Sequence, residues 1–286
     1  MWIRFTAPMS RRVLPDSART AFFYFPGEVL DLPEAWAHEH LDAGEAELAP
    51  NPETIRPDDP WLPPSLGDAP LTVACVYRTG GIYDGHDYVG RLARAVARHL
   101  SRPHRFVCLT DSQDDLGEGV EVVPLLHRWP GFWAKVELFR PGLFDGPVLY
   151  LDLDTVICGD LSELANAADP VLMAWDLARG WINSSLMRWS VDLSCIHEAM
   201  LAEPEAMMRR LTDGKGMWGD QGLVQEALLA RSIVWRWAQD LLPGQIGWHP
   251  YGTRDMPAPD GVRVSMFYGN PKPHEISSDW LSEHWR

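Results

Sequence analysis

The chain is short of positive charge, of cysteine pairs and of long apolar runs, and each shortage removes a class of function. Lys and Arg number 25 against 40 Asp and Glu, a formal charge of −15. A surface this acidic is unsuited to unaided capture of nucleic-acid backbone or anionic membrane. It also repels polyphosphates, so a phosphate-binding site here needs a metal ion or a local basic pair. The four cysteines (Cys75, Cys108, Cys158 and Cys195) form no CxxC pair, and three lie in or near apolar segments, where a buried structural thiol is the default. No apolar run approaches the roughly 18 residues of a membrane span, and no N-terminal apolar stretch suits a signal peptide. The expected setting is a reduced cytoplasm. No internal repeat or low-complexity tract is present.

What the chain does have is length and pattern. Its 286 residues, 46% hydrophobic and 23% charged as is ordinary for a soluble globular protein, can hold one large domain or one medium domain with an appendage. Residues 1–49 read as a small unit of two strands (WIRFTAP and TAFFYFPGEVLDL, the second broken by Pro26-Gly27) and a helix from Pro33 to about Gly44. Residues 50–70 hold seven prolines and read as an extended tether. From Leu71 to the end, strands alternate with helices. LTVACVYR, RFVCLTD, VEVVPL and PVLYLDLD are strands; Tyr88, Leu92, Val96 and Leu100 recur at fours on an amphipathic helix; WAKVELFRPGLF is a short helix. VLMAWDL and VRVSMFYG are later strands, with helices around 191–213 and in GDQGLVQEALLA. This alternation predicts an α/β fold around a parallel sheet, which binds ligands beyond the carboxyl ends of its strands.

Asp152 and Asp154 stand at such an end. At i and i+2 of an extended segment their side chains share one side, with Leu153 turned away. Two neighbouring carboxylates repel unless something positive lies between them, and a hard divalent cation shared with a phosphate is one answer. The plain alternative is two Asps that end a strand and begin a turn.

Together these pieces resemble a GT-A glycosyltransferase, most similar to glycosyltransferase family 8, over about residues 71–275. VLYLDLDTVI matches the family's Asp-x-Asp segment, which implies that Asp152 touches the nucleotide ribose and the metal and that Asp154 binds the metal. Lys135 in Trp133-Ala134-Lys135 falls where relatives carry a cation facing the donor; a solvated helix charge is the alternative. Asn183-Ser184-Ser185 resembles a turn that holds donor-sugar hydroxyls, with Ser185 in place of Gly, and an ordinary Asx turn would read the same. Asp220-Gln221 resembles the pair beside the anomeric carbon, where Asp220 would equally serve as a helix N-cap. FYGNPKPHE resembles the closing motif and puts Lys272 on the lysine that binds diphosphate. Tyr77 and Arg78, at the end of the first strand, complete the expected substrate-binding set.

The resemblance implies a retaining transfer of sugar from a nucleotide-diphosphate sugar, a UDP-sugar foremost, to an acceptor hydroxyl, assisted by Mn²⁺ or Mg²⁺. Two departures bear on the metal. Met266 occupies the place of the family's metal-binding His, and a thioether is a poor ligand for a hard cation. His274 replaces the family's Trp, and is either the missing third ligand or a surface residue. Two rival readings remain. One is a catalytically silent nucleotide-sugar binder or scaffold. The other is a haloacid-dehalogenase-type phosphatase, whose motif DLDTV fits but whose second Asp is replaced by Val224 in GDQGLV.

Overall fold

The structure, a computed structural model, describes residues 1–5, 11–12, 22–23, 29–31, 34–48, 63–67, 69–176, 181–212, 218–249 and 260–286. The N-terminal unit comprises β1 (Trp2–Phe5), β2 (Arg11–Arg12), β3 (Phe22–Phe23), β4 (Val29–Asp31), α1 (Glu34–Asp42) and β5 (Ala46–Leu48). β1 pairs antiparallel with both β4 and β5, and Ile3, Ala37 and Ala46 form its small core. The second expected strand is divided between β3 and β4, and β5 had no clear sequence signal. Pro26-Gly27 and Pro33 lie outside the described residues, as does most of the proline-rich stretch. Its last part is bonded to the large domain: the Asp192 amide donates to the Pro64 carbonyl at 2.8 Å, the Leu66 amide donates to the Ser190 carbonyl at 2.9 Å, and Ser65 bridges Val191.

The large domain runs β6 (Leu71–Tyr77), α2 (Tyr88–His99), β7 (His104–Thr110), β8 (Val120–Pro124), a 3-10 helix (Gly131–Phe139), β9 (Val148–Leu151), β10 (Val156–Ile157) and α3 (Ser162–Ala165). It continues through β11 (Val171–Trp175), β12 (Ile182–Trp189), α4 (Ser194–Ala202), α5 (Pro204–Arg210), α6 (Gly219–Ala230), β13 (Arg236–Trp237), α7 (Ala238–Leu241), β14 (Ile246–His249) and β15 (Val264–Phe267). A short 3-10 turn (Pro273–Glu275) and α8 (Asp279–His284) follow. The central sheet has the order β13-β11-β12-β9-β6-β7-β8.

β6 shows why the run LTVACVY is apolar throughout. Leu71, Val73 and Cys75 pack with Tyr88, Leu92 and Val96 of α2 on one face, while Ala74 and Val76 pack with Trp133, Leu223 and Leu228 on the other. A strand covered on both faces has no polar side to show. The sheet is mostly parallel, as expected, but β12 runs against its neighbours β9 and β11. Only residues 176–181 join β11 to β12, too few for the crossover that a parallel pair requires. The reversal has a functional consequence. The start of β12 (Ile182–Ser184) lies beside the end of β9, and the Asp152 amide donates to the Ser185 carbonyl at 2.9 Å. The expected Asn-Ser-Ser turn is therefore part of a strand. Ser185 has no positive φ there, so its replacement of Gly costs nothing in backbone strain.

The segment expected as a short helix is a 3-10 helix from Gly131 to Phe139, with Trp133 through Phe139 all buried. Its three-residue period stacks Phe132 and Lys135 on one face. Glu137 faces elsewhere, where its carboxylate accepts from the Leu126 and His127 amides at 2.6 and 2.9 Å.

Candidate active site

A cavity of about 330 Å³ opens beyond the carboxyl ends of β6 and β9. Arg78, Ile82, Tyr83, Phe132, Lys135, Tyr150, Asp152 and Lys272 are among its lining residues. Lys135 is the hub of its floor. The Lys135 ammonium lies 2.9 Å from the Asp220 carboxylate and 3.3 Å from that of Asp152, and it donates to the Ser184 hydroxyl at 2.9 Å. Ser184 in turn donates to Asp220 at 2.6 Å. Residues from the 3-10 helix, the end just past β9, β12 and α6 thus meet at one ammonium group. Burial alone would lower the Lys135 pKa; the carboxylates of Asp152 and Asp220 reverse this and raise it, so the group stays charged.

Asp220 is not the N-cap of α6. It lies in the first turn, where a negative side chain suits the helix dipole, and its carboxylate is buried against Lys135 and Ser184. Gly219 makes this approach possible: its φ is +68°, and a Cβ there would meet the Phe132 ring at 3.0 Å. Tyr150 sits two residues before Asp152, on the same side of the extended chain, and its hydroxyl donates to Asp152 at 2.5 Å.

Asp154 has a separate partner set. It meets Lys272 directly and accepts from the Tyr83 hydroxyl at 3.0 Å. Burial pushes the Asp154 carboxyl above its ordinary value, Lys272 pulling the other way and Asp152 adding to the rise. The carboxylate repulsion inferred from sequence is met here by two lysines, one for each Asp.

The remaining expected residues lie further out. Arg78 lines the cavity and pairs with Asp111 at 2.8 Å. Tyr77 turns away, donating to Asp84 at 3.0 Å, and burial together with this bond pushes its phenol up to about 12. Asn183 is buried, and its side-chain carbonyl accepts from the Ser185 amide at 2.8 Å. Gln221 is half-buried beside Asp220. Met266 is fully buried in β15, within the core. His274 meets Tyr88, ring nitrogen to hydroxyl at 2.6 Å, and stacks on His86 with ring centroids 3.9 Å apart. Among the described residues no group of three His, Cys, Asp or Glu side chains is arranged to hold a metal. Tyr83 and Tyr150 had not been singled out. Tyr150 was legible from its i−2 spacing to Asp152; Tyr83, in a loop 71 residues from Asp154, was not.

No family model and no curated protein matches this chain. Solved structures do. A galactosyltransferase, LgtC, solved with donor and acceptor sugar analogues, superposes with a TM-score of 0.50 at 13% identity over 71% of this chain and 88% of that one. An active-site mutant of LgtC gives 0.53 at 12% identity over 74% and 93%. The glycosyltransferase GlyE of Streptococcus pneumoniae TIGR4 gives 0.50 at 16% identity over 76% and 60%. The chain has the GT-A fold of these glycosyltransferases. No helix among the described residues is long and apolar enough to cross a membrane.

Proposed function

We propose that the protein transfers a glycosyl group from a nucleotide-diphosphate sugar, a UDP-sugar foremost, to an acceptor hydroxyl. The observation that carries this is a cavity at the carboxyl edge of the sheet that gathers Arg78, Lys135 and Lys272 in a chain of net charge −15. Each of these cations is held by a carboxylate, Arg78 by Asp111, Lys135 by Asp152 and Asp220, and Lys272 by Asp154, and each could be shared with a diphosphate. Lys135 and Lys272 would offset the charge that grows on the departing diphosphate. Ser184 and Asp220 would hold donor-sugar hydroxyls, and Asp220 with Gln221 would stabilise an oxocarbenium-like state. Retention of configuration rests on the family resemblance.

Asp152 and Asp154 fit a hard cation by donor chemistry, since both offer carboxylate oxygens next to a cavity suited to phosphates. They would hold Mn²⁺ or Mg²⁺ together with donor oxygens and water. When bound, the ion would supply further positive charge to the diphosphate. Lys272 shares the Asp154 carboxylate, so it would turn toward the diphosphate when donor and cation arrive.

A thermal-shift panel of UDP-glucose, UDP-galactose, UDP-N-acetylglucosamine and GDP-mannose, with and without Mn²⁺, tests the proposal. A donor at a hundredfold excess over Kd should add about 3 kcal/mol of apparent stability. Absence of any shift across the panel would sink the reading. A shift without hydrolysis or transfer would select the silent binder, and release of phosphate from p-nitrophenyl phosphate would favour the phosphatase. A chain beginning at Pro63 keeps the bonds of Pro64 and Leu66 to the large domain. It should hydrolyse donor at the full-length rate, because the large domain has its own core; a soluble but inactive product would contradict this.

A further inference from the structure

We infer that His274 is a positioning residue, which clasps the loop carrying Lys272 to the loop that follows β6. Resting on the donor reading above, this gives His274 a task other than metal ligation. Lys272 and His274 belong to one rigid turn. The Lys272 amide donates to the Glu275 carboxylate at 2.7 Å, and the Glu275 amide donates to the Lys272 carbonyl at 2.9 Å. Whatever holds His274 therefore also sets the base from which the Lys272 side chain reaches Asp154. Two groups hold it. Its ring lies on the ring of His86, 3.9 Å between centroids and 24° from parallel, and its Nδ1 lies 2.6 Å from the Tyr88 hydroxyl.

The clasp returns to the lysine from the other side. Tyr88 packs on Tyr83 with centroids 4.6 Å apart, and the Tyr83 hydroxyl donates to Asp154, the partner of Lys272. The Lys272 ammonium also lies 6.0 Å from the centre of the Tyr83 ring. Both loops thus meet twice, once through the rings of His86, Tyr88 and His274 and once through Tyr83, Asp154 and Lys272. His86 and His274 are separated by 188 positions, so their stack joins two segments far apart in the chain. Opening this contact would release Lys272 from the cavity without touching a ligand.

Hydrogen exchange on the full-length protein, which needs no ligand, provides the first test. His274→Ala should speed exchange of the amides at residues 268–275 and, reciprocally, at residues 80–86. Exchange unchanged in the second loop would overturn the clasp. Calorimetry with the best-binding member of the nucleotide-sugar panel provides the second. His274→Ala should weaken binding about tenfold, as expected when a hydrogen bond from a charged group is misplaced. The Mn²⁺ concentration for half-maximal effect should stay the same, and the double variant Lys272→Ala/His274→Ala should bind no more weakly than Lys272→Ala alone. His274→Trp, which keeps a ring to lie on His86, should recover most of the affinity. A shifted Mn²⁺ requirement, or additive losses in the double variant, would overturn the inference and return His274 to the metal. Should no nucleotide sugar bind the unaltered protein, the donor reading falls, and the exchange experiment alone decides the clasp.

Discussion

Lys135→Ala should cost the folded protein about 3–5 kcal/mol and abolish nucleotide-sugar turnover, the range seen when one partner of a buried ion pair is removed. The Lys135 ammonium is the shared counter-ion of Asp152 and Asp220, 3.3 and 2.9 Å away, and it also donates to Ser184. Without it, among the described residues, buried Asp220 keeps only the Ser184 hydroxyl and Asp152 only Tyr150. Uncompensated charge in a low-dielectric setting, rather than lost packing, is the cause. Lys135→Met, which keeps the volume, should therefore be nearly as destabilised, and adding Asp220→Asn should recover part of the loss. Urea unfolding followed by fluorescence measures the stabilities. A Lys135→Met protein as stable as the original would show that the cluster is not electrostatically coupled.

Asp154→Ala should remove Mn²⁺-dependent donor binding. From the carboxylate pair alone, the substitution relieves repulsion and leaves the protein no less stable. The structure reverses that expectation, because Asp154 is the direct partner of Lys272, and both are at least nine-tenths buried. Loss of the carboxylate strands an ammonium, and a decrease of about 3 kcal/mol is expected. The double variant Asp154→Ala/Lys272→Met should regain stability but not donor binding, which separates the structural pairing from the functional one. Unfolding midpoints and calorimetry with and without Mn²⁺ read the two effects separately. If Asp154→Ala retains the same metal dependence, the metal assignment to Asp154 is wrong.

Much of the fold was legible because its signals are local. The apolar runs of β6 and β9, the fours-periodicity of α2 and the capacity of a strand end to present carboxylates all follow from backbone geometry over a few residues. The placement of Lys135, Asp152 and Lys272 was legible through motif order, and the structure brings all three to one cavity. The reversal of β12 was less visible, because the strand's direction depends on the short link of residues 176–181 and on pairing with β9. The 3-10 form of Gly131–Phe139 was likewise hidden: a segment buried nearly all round has no amphipathic period to read.

By itself, then, the sequence determined the α/β class, the position of the Asp-x-Asp at a strand end and the need for local positive charge in an acidic chain. These depend on composition and on spacings of two to four residues. Only the tertiary structure decided which charge answers which. Lys135 and Asp220 stand 85 positions apart, and Lys272 and Asp154 118. Their pairing is set by how the 3-10 helix, α6 and the last loop pack onto the sheet. The same packing set His274 against Tyr88 and His86. A side chain's type states what it can bind; the packing of distant elements selects what it meets.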